Sequence, residues 1–282
     1  MAQVVKETTP KKNFQSNDTP EFNKTYTAPK QSANVLFQCM RELDYLKAAL
    51  KNQAIMPRYY PEKVDYLNIS GIDKIAFPMS CFCDIHLKKL EDHMFNYGDF
   101  AIGLSKEWGI TKGIQPIQYI NEGSALRKDF SSVFNLALTE TDEKRKEFNF
   151  YNDYLLTSLL FMKPLEGEMP TVKGDKYRNF HDEKEWRFVP NIHEVNTDLP
   201  LVIPPEQMNQ KSIDAYSDSI QKRPELWLKF ELSKIKYIIV NDQSSKKELI
   251  TFLKEHKTSE SIDELLELSS KILVYSELKE DW

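Results

Sequence analysis

His181-Asp182-Glu183-Lys184-Glu185-Trp186-Arg187-Phe188-Val189-Pro190 alternates with the period of two that a β-strand imposes on its side chains. Glu183, Glu185 and Arg187 fall on one face, and Lys184, Trp186 and Phe188 on the other. The expected geometry sets the aromatics against a core and turns the charged row to a cleft or to water. Carboxylates two positions apart on one strand stand about 6–7 Å from each other by the strand rise. At that range each disfavours ionisation of the other, while Arg187 favours it. In a cleft, such a Glu-x-Glu pair is suited to acid/base or electrostatic work. On an open face the same residues are a surface ion pair that adds little to stability.

The 282 residues carry 40% hydrophobic and 29% charged side chains, the balance of an ordinary globular chain. A formal net charge of -5 with a pI near 5.7 leaves no basic footprint for nucleic acid. Cys39, Cys81 and Cys83 make an odd count, which suits a reducing compartment better than a disulfide scaffold. The N-terminus is polar, with no apolar segment of the signal-peptide kind. The longest near-apolar run, Tyr154 to Met162, falls short of the ~20 residues that span a bilayer. The expectation is a cytoplasmic protein without a membrane segment.

Residues 1–33 are rich in Lys, Thr, Pro, Asn, Gln and Ser and read as a disordered tail. Residues 34–282 read as a single α+β domain, a mixed and mostly antiparallel sheet with flanking helices. Val35 to Cys39 predicts a first strand, and Leu43, Leu46 and Leu50 predict the helix after it. Lys74 to His86 predicts a strand or two broken at Pro78, and Phe100 to Leu104 another. Ser105 is placed to cap a short helix ending before Gly113. Ile114 to Ile120 predicts a strand, at an edge because of Pro116. Two long helices are expected over 124–139 and 143–162, then a loop over 164–175. Further on, Leu226 to Glu231 and Tyr237 to Val240 predict strands. Ser245 with Glu248, and Ser261 with Glu264, form capping boxes.

Cys81-x-Cys83-x-x-His86 brings three soft ligands close in sequence, with Cys39 as a possible fourth. On a strand, however, His86 points away from the two cysteines, and no second knuckle follows, so small buried cysteines are expected rather than a metal site. No P-loop, no G-x-G-x-x-G and no H-E-x-x-H is present, and the five histidines lie scattered.

Met79-Ser80-Cys81-Phe82-Cys83-Asp84-Ile85, Tyr97-Gly98-Asp99-Phe100-Ala101-Ile102-Gly103-Leu104-Ser105-Lys106-Glu107-Trp108 and Asp182 to Pro190 resemble signature blocks of the AbiGi family. That resemblance covers residues 34–282. It implies a role in bacterial abortive infection against phage, as a component or regulator of a toxin–antitoxin pair. Its partner would be a cognate toxin or another defence-system protein.

A second resemblance is to ADP-ribosyltransferase-like folds. Glu183-x-Glu185 is similar to their catalytic Glu-x-Glu, and Ser105 after Ile102-Gly103-Leu104 is similar to their Ser-bearing strand. Gln38 departs from the pattern, standing where a His or Arg would meet a nicotinamide ribose. That resemblance implies NAD as cofactor and Glu185 as the catalytic residue, assisted by Glu183 and Arg187. Gln38, Asp84, Ser105, Trp108 and Trp186 would bind the ligand. An inactive scaffold of that fold is the third possibility. One geometric condition separates these readings: Gln38, Ser105 and Glu185 must converge on one pocket for the transferase chemistry to be possible.

Overall fold

A computed structural model of the chain describes residues 26–141, 149–171, 174–256 and 261–281. The expectation for residues 1–25 and the expected helix start near Glu143 lie outside these. The first strand, β1 (Val35–Met40), leads into α1 (Leu43–Asn52), β2 (Ala54–Ile55) and β3 (Arg58–Lys63). Then come β4 (Lys74–Cys83), α2 (Glu91–Tyr97), β5 (Phe100–Ser105), α3 (Lys106–Thr111), β6 (Gln115–Pro116) and β7 (Gln118–Ile120). The middle of the chain holds α4 (Ala125–Thr139), α5 (Asn149–Leu160), β8 (Met162–Pro164), β9 (Glu166–Thr171), β10 (Gly174–Asn179) and β11 (Glu185–Phe188). The last third adds α6 (Gln210–Gln221), β12 (Leu228–Lys229), β13 (Ile235–Val240), α7 (Gln243–Glu255), α8 (Ile262–Ser270), β14 (Ile272–Val274) and α9 (Tyr275–Asp281).

The central sheet runs β14-β13-β5-β1-β4-β11-β6, with β3 also on β4. Only β13 and β14 pair in parallel within it, which gives the mixed, mostly antiparallel α+β architecture that the sequence leads one to expect. The register sets Tyr237, Gly103, Phe37, Cys83 and Glu185 in one transverse row across five strands. Because side chains alternate along a strand, that row fixes which residues share a face.

One face carries Leu36, Phe82, Ile102, Leu104 and Ile238. It packs on Leu46 and Leu50 of α1, Trp108 of α3, Leu249 and Leu253 of α7 and Leu268 of α8. The opposite face carries Val35, Phe37, Cys83, Ala101 and Ile239 under Leu90 and Met94, with Tyr275 beside them. Farther along β4 the chain turns Phe77 and Met79 toward Phe130 and Phe134 of α4 and Leu155 and Leu159 of α5.

Several local expectations give way to tertiary pairing. β4 runs unbroken through Pro78, which pairs with Tyr59 in the stretch where only β3 borders β4. A missing N–H is tolerated on such a one-sided edge. The expected loop over 164–175 contains a two-stranded hairpin, β9 with β10. Its residues are mostly polar, so hydrophobic alternation gave no signal of it. The expected strand 114–120 splits in two: β6 ends the central sheet, as Pro116 suggested, and β7 pairs with β8 elsewhere. Leu226 to Glu231 keeps only a two-residue strand. Ser261 caps α8 as expected, but α7 is capped by Asp242, whose carboxylate accepts from Ser245 N–H at 2.7 Å. Asp242 follows β13 almost directly and captures the helix start three residues ahead of Ser245.

Gly98 joins α2 to β5 at φ +135°, and a Cβ there would sit 2.1 Å from the Met40 carbonyl oxygen. Both the backbone angle and the contact demand glycine. Gly98→Ala is therefore expected to destabilise the fold by about 2–3 kcal/mol, read as a lower urea midpoint at unchanged slope.

Candidate functional site

The opening stretch does not form one continuous strand. Phe180–Glu183 is a 3-10 turn, Lys184 sits in the left-handed region at φ 43°, and only Glu185–Phe188 joins the sheet. Trp186 and Phe188 are half-buried and pack against the core, as expected. Glu183, Glu185 and Arg187, expected to face a cleft or water, are instead buried at 3%, 7% and 1% exposure. The charged row thus turns away from bulk water. Buried charges persist only when other charges compensate them. Here the compensating charges come from three other segments, β3, β8 and β10, with hydrogen bonds to α2, β7 and α5.

Lys163 of β8 lies between the two glutamates, its Nζ 2.6 Å from Glu183 Oε2 and 3.0 Å from Glu185 Oε2. Glu185 Oε1 accepts from Arg187 Nε. Arg187 NH1 donates to the Leu160 carbonyl at 2.9 Å and NH2 to Glu62 at 3.1 Å. Glu183 Oε1 accepts from the Tyr97 hydroxyl at 2.5 Å and has Arg178 at 3.8 Å. The Glu185 backbone N–H donates to Tyr119 Oη at 2.8 Å. Three acids (Glu62, Glu183, Glu185) thus meet three bases (Lys163, Arg178, Arg187), and all four oxygens of the central glutamate pair are engaged.

Burial by itself would raise the Glu185 carboxyl and lower Lys163. The neighbours reverse both. Arg187 and Lys163 hold Glu185 well below the usual carboxylate range, and Glu185 with Glu183 holds Lys163 well above the usual lysine value. Burial pushes the Tyr97 and Tyr119 hydroxyls up, so both remain neutral phenols. Lys163, Glu62, Tyr97, Tyr119 and Arg178 are members that sequence reasoning missed. Lys163 ends an apolar run in an element too short for a periodic signal. Glu62 and Arg178 sit on polar strands.

Of the remaining candidates, Gln38, Trp186 and Trp108 lie on the other face of the sheet. Ser105 pairs with Val35 at the end of β5 and is in register with the face of Phe37, Cys83 and Glu185. Gln38 pairs with Ile102 one residue after Phe37, so it points away from Glu185. Its Oε1 is buried without a hydrogen-bond partner, as are Asp84 Oδ1 and Trp108 Nε1. Asp84 Oδ2 pairs with Lys106 Nζ at 2.6 Å, both side chains buried. Lys106 also donates to Ser32 at 2.9 Å and lies 5.6 Å from the centre of the Trp186 ring. Ser105 caps α3 as expected, accepting from Trp108 N–H at 3.5 Å. Trp108 packs edge-on against Phe230 in the core. The sheet therefore stands between Gln38 and Glu185, and nothing gathers Gln38, Ser105 and Glu185 as an NAD site requires. Among the described residues, no group of three or more His, Cys, Asp or Glu side chains is arranged to hold a metal ion.

Ser105→Ala removes one helix cap whose hydrogen bond is long, and is expected to cost about 0.5–1 kcal/mol in thermal or urea unfolding.

All six charged members of the network lie within residues 53–241, the span matched by a family model described as "AbiGi: Putative abortive phage resistance protein AbiGi, antitoxin". A curated relative from Lactococcus lactis subsp. cremoris, named "Abortive phage resistance protein AbiGi", is 36% identical, over 81% of this chain and 100% of its own length. No solved structure matches the chain. The family model spans both the β4–β11 pairing and the charged network built on it, and the relative aligns along its full length; the chain belongs to the AbiGi family.

Proposed function

We propose that this chain acts in abortive-infection defence against phage, as the antitoxin-type partner of a cognate toxin protein, in the cytoplasm. Family membership carries the reading: both the family description and the relative's name specify abortive phage resistance, and the family description adds the antitoxin role. The geometry is consistent with a protein that works by binding. The residues best suited to chemistry, Glu183, Glu185 and Arg187, are engaged with one another and with Lys163. In this reading they form a structural clamp that fixes β8, β11 and the turn before it against β4. The transferase alternative gains no support, since Gln38, which would meet the nicotinamide ribose, and Glu185 occupy opposite faces of one sheet. No helix among the described residues is long and apolar enough to cross a membrane, which fits action away from the bilayer.

Co-expression tests the proposal. The product of the reading frame beside this one is expected to arrest growth when expressed alone, and this chain is expected to relieve the arrest and to co-purify with that product. An arrest that this chain leaves untouched would overturn the antitoxin role.

A further inference from the structure

A cluster of aromatic and basic side chains stands open to solvent where β3 begins. Arg58 and Tyr60 alternate along β3 and share a face with Glu62. The Arg58 guanidinium carbon lies 5.9 Å from the centre of the Tyr45 ring, in the first turn of α1. Arg41 precedes that helix, in the turn after β1. Partial burial raises the Tyr60 hydroxyl, and Arg58 and Arg41 stand near enough to draw it back. Both rings remain open, Tyr45 at 50% and Tyr60 at 48% exposure.

The two arginines set this cluster apart. Elsewhere, Arg178, Arg187 and Arg223 pair with Glu183, Glu185 and Glu225, and Arg127 donates to the Glu122 carbonyl. Among the described residues, Arg41 and Arg58 have no carboxylate within ion-pair distance and no hydrogen-bond acceptor; Arg58 touches only the Tyr45 ring. The acids close by in sequence are engaged elsewhere: Asp44 with Lys47 at 3.2 Å and Glu62 with Arg187 at 3.1 Å. That second pair ties the face of β3 that carries Arg58 and Tyr60 to the charged clamp.

We propose that Arg41, Tyr45, Arg58 and Tyr60 anchor the toxin partner, by receiving an acidic patch on that protein's surface. The inference rests on the antitoxin reading above and adds the place and the chemistry of contact. Unengaged guanidinium donors offer carboxylates a two-point grip, and tyrosine with arginine is the pairing that carries most energy in protein interfaces. A nucleic acid presents anionic and stacking groups too. Against it stands the net charge of -5, which repels a long polyanion beyond the patch but not a protein that is acidic only locally.

The test is calorimetric titration of the full-length chain with the purified product of the neighbouring reading frame. The double variant Arg41→Glu with Arg58→Glu is expected to bind at least about tenfold more weakly than the wild type. Tyr45→Ala and Tyr60→Ala are each expected to weaken binding about fivefold or more. Lys222→Glu, an exposed charge reversal at the end of α6, is expected to leave binding unchanged. Wild-type affinity is expected to fall as salt rises from about 0.05 M to about 0.5 M. Urea midpoints accompany each variant; if Arg58→Glu lowers its own, Arg41→Glu with Tyr45→Ala, both at exposed positions, carries the test. Patch variants that bind as tightly as the wild type would overturn the docking site and leave the antitoxin role standing. Tighter binding of a mixed-sequence single-stranded oligonucleotide through these same four residues would overturn it as well. A wild-type chain that neither binds the neighbouring product nor relieves its arrest would remove the antitoxin role, and the docking site with it.

Discussion

An Arg187→Met chain is expected to be less stable than its parent by about 3–5 kcal/mol, the usual cost of stripping one partner from a buried ion pair. Arg187 is 1% exposed and uses Nε, NH1 and NH2 on Glu185, the Leu160 carbonyl and Glu62. Methionine fills much of the volume but leaves the Glu185 Oε1 charge and the Leu160 carbonyl without that donor. The loss should appear in urea unfolding as a lower midpoint with an unchanged slope. Pairing the change with Glu185→Met separates clamp from packing. The double variant is expected to be less destabilised than the sum of the two single ones, by about 0.5–3 kcal/mol of coupling. Additive losses would mean that the two side chains stabilise the fold independently.

Lys163→Met is expected to cost a similar amount, about 3–5 kcal/mol near pH 7, and to leave a pH signature. In the parent, Glu185 is held below its unfolded value. Its contribution is present above the unfolded carboxylate value of about 4.3 and is lost only as pH falls toward the lower folded value. Lys163 is held above its unfolded value. Its contribution is present below about 10.4 and lost as pH rises through the higher folded value. Without Lys163, Glu185 keeps Arg187 but loses its second counter-charge, so its carboxyl rises from the depressed position it holds in the parent. The contribution lost with that rise is one present above the unfolded carboxylate value and absent well below it. The gap between variant and parent should therefore be widest near neutral pH and narrow as pH falls below about 4.3. A gap independent of pH would show that Lys163 contributes packing and not charge.

The residues that alternate or repeat with a clear period were legible. Val35–Met40, Leu43–Asn52, Phe100–Ser105 and Ala125–Thr139 fall where their patterns place them, and Ser105 and Ser124 cap the helices they precede. The β9–β10 hairpin was not legible, because backbone pairing of polar residues leaves no apolar stripe. The opening stretch misled for a physical reason. Alternation reports which residues share a face, but it does not report which face is buried. Aromatic residues at Trp186 and Phe188 argued for burial of their side, while the partners that bury the charged side, Glu62, Lys163 and Tyr97, come from segments far away in sequence. The separation of Gln38 from Glu185 was equally out of reach, since it follows from the β1–β4–β11 register and not from either strand alone.

The most direct test of the clamp is Glu185→Gln, assayed for phage protection and for the folded fraction of the same preparation. Glutamine keeps the shape and a hydrogen-bonding oxygen but removes the charge that a catalytic glutamate would need. The clamp reading predicts reduced stability with protection per folded molecule unchanged. A Glu185→Gln protein as stable as the parent yet devoid of protection would contradict it, and would return Glu185 to chemistry.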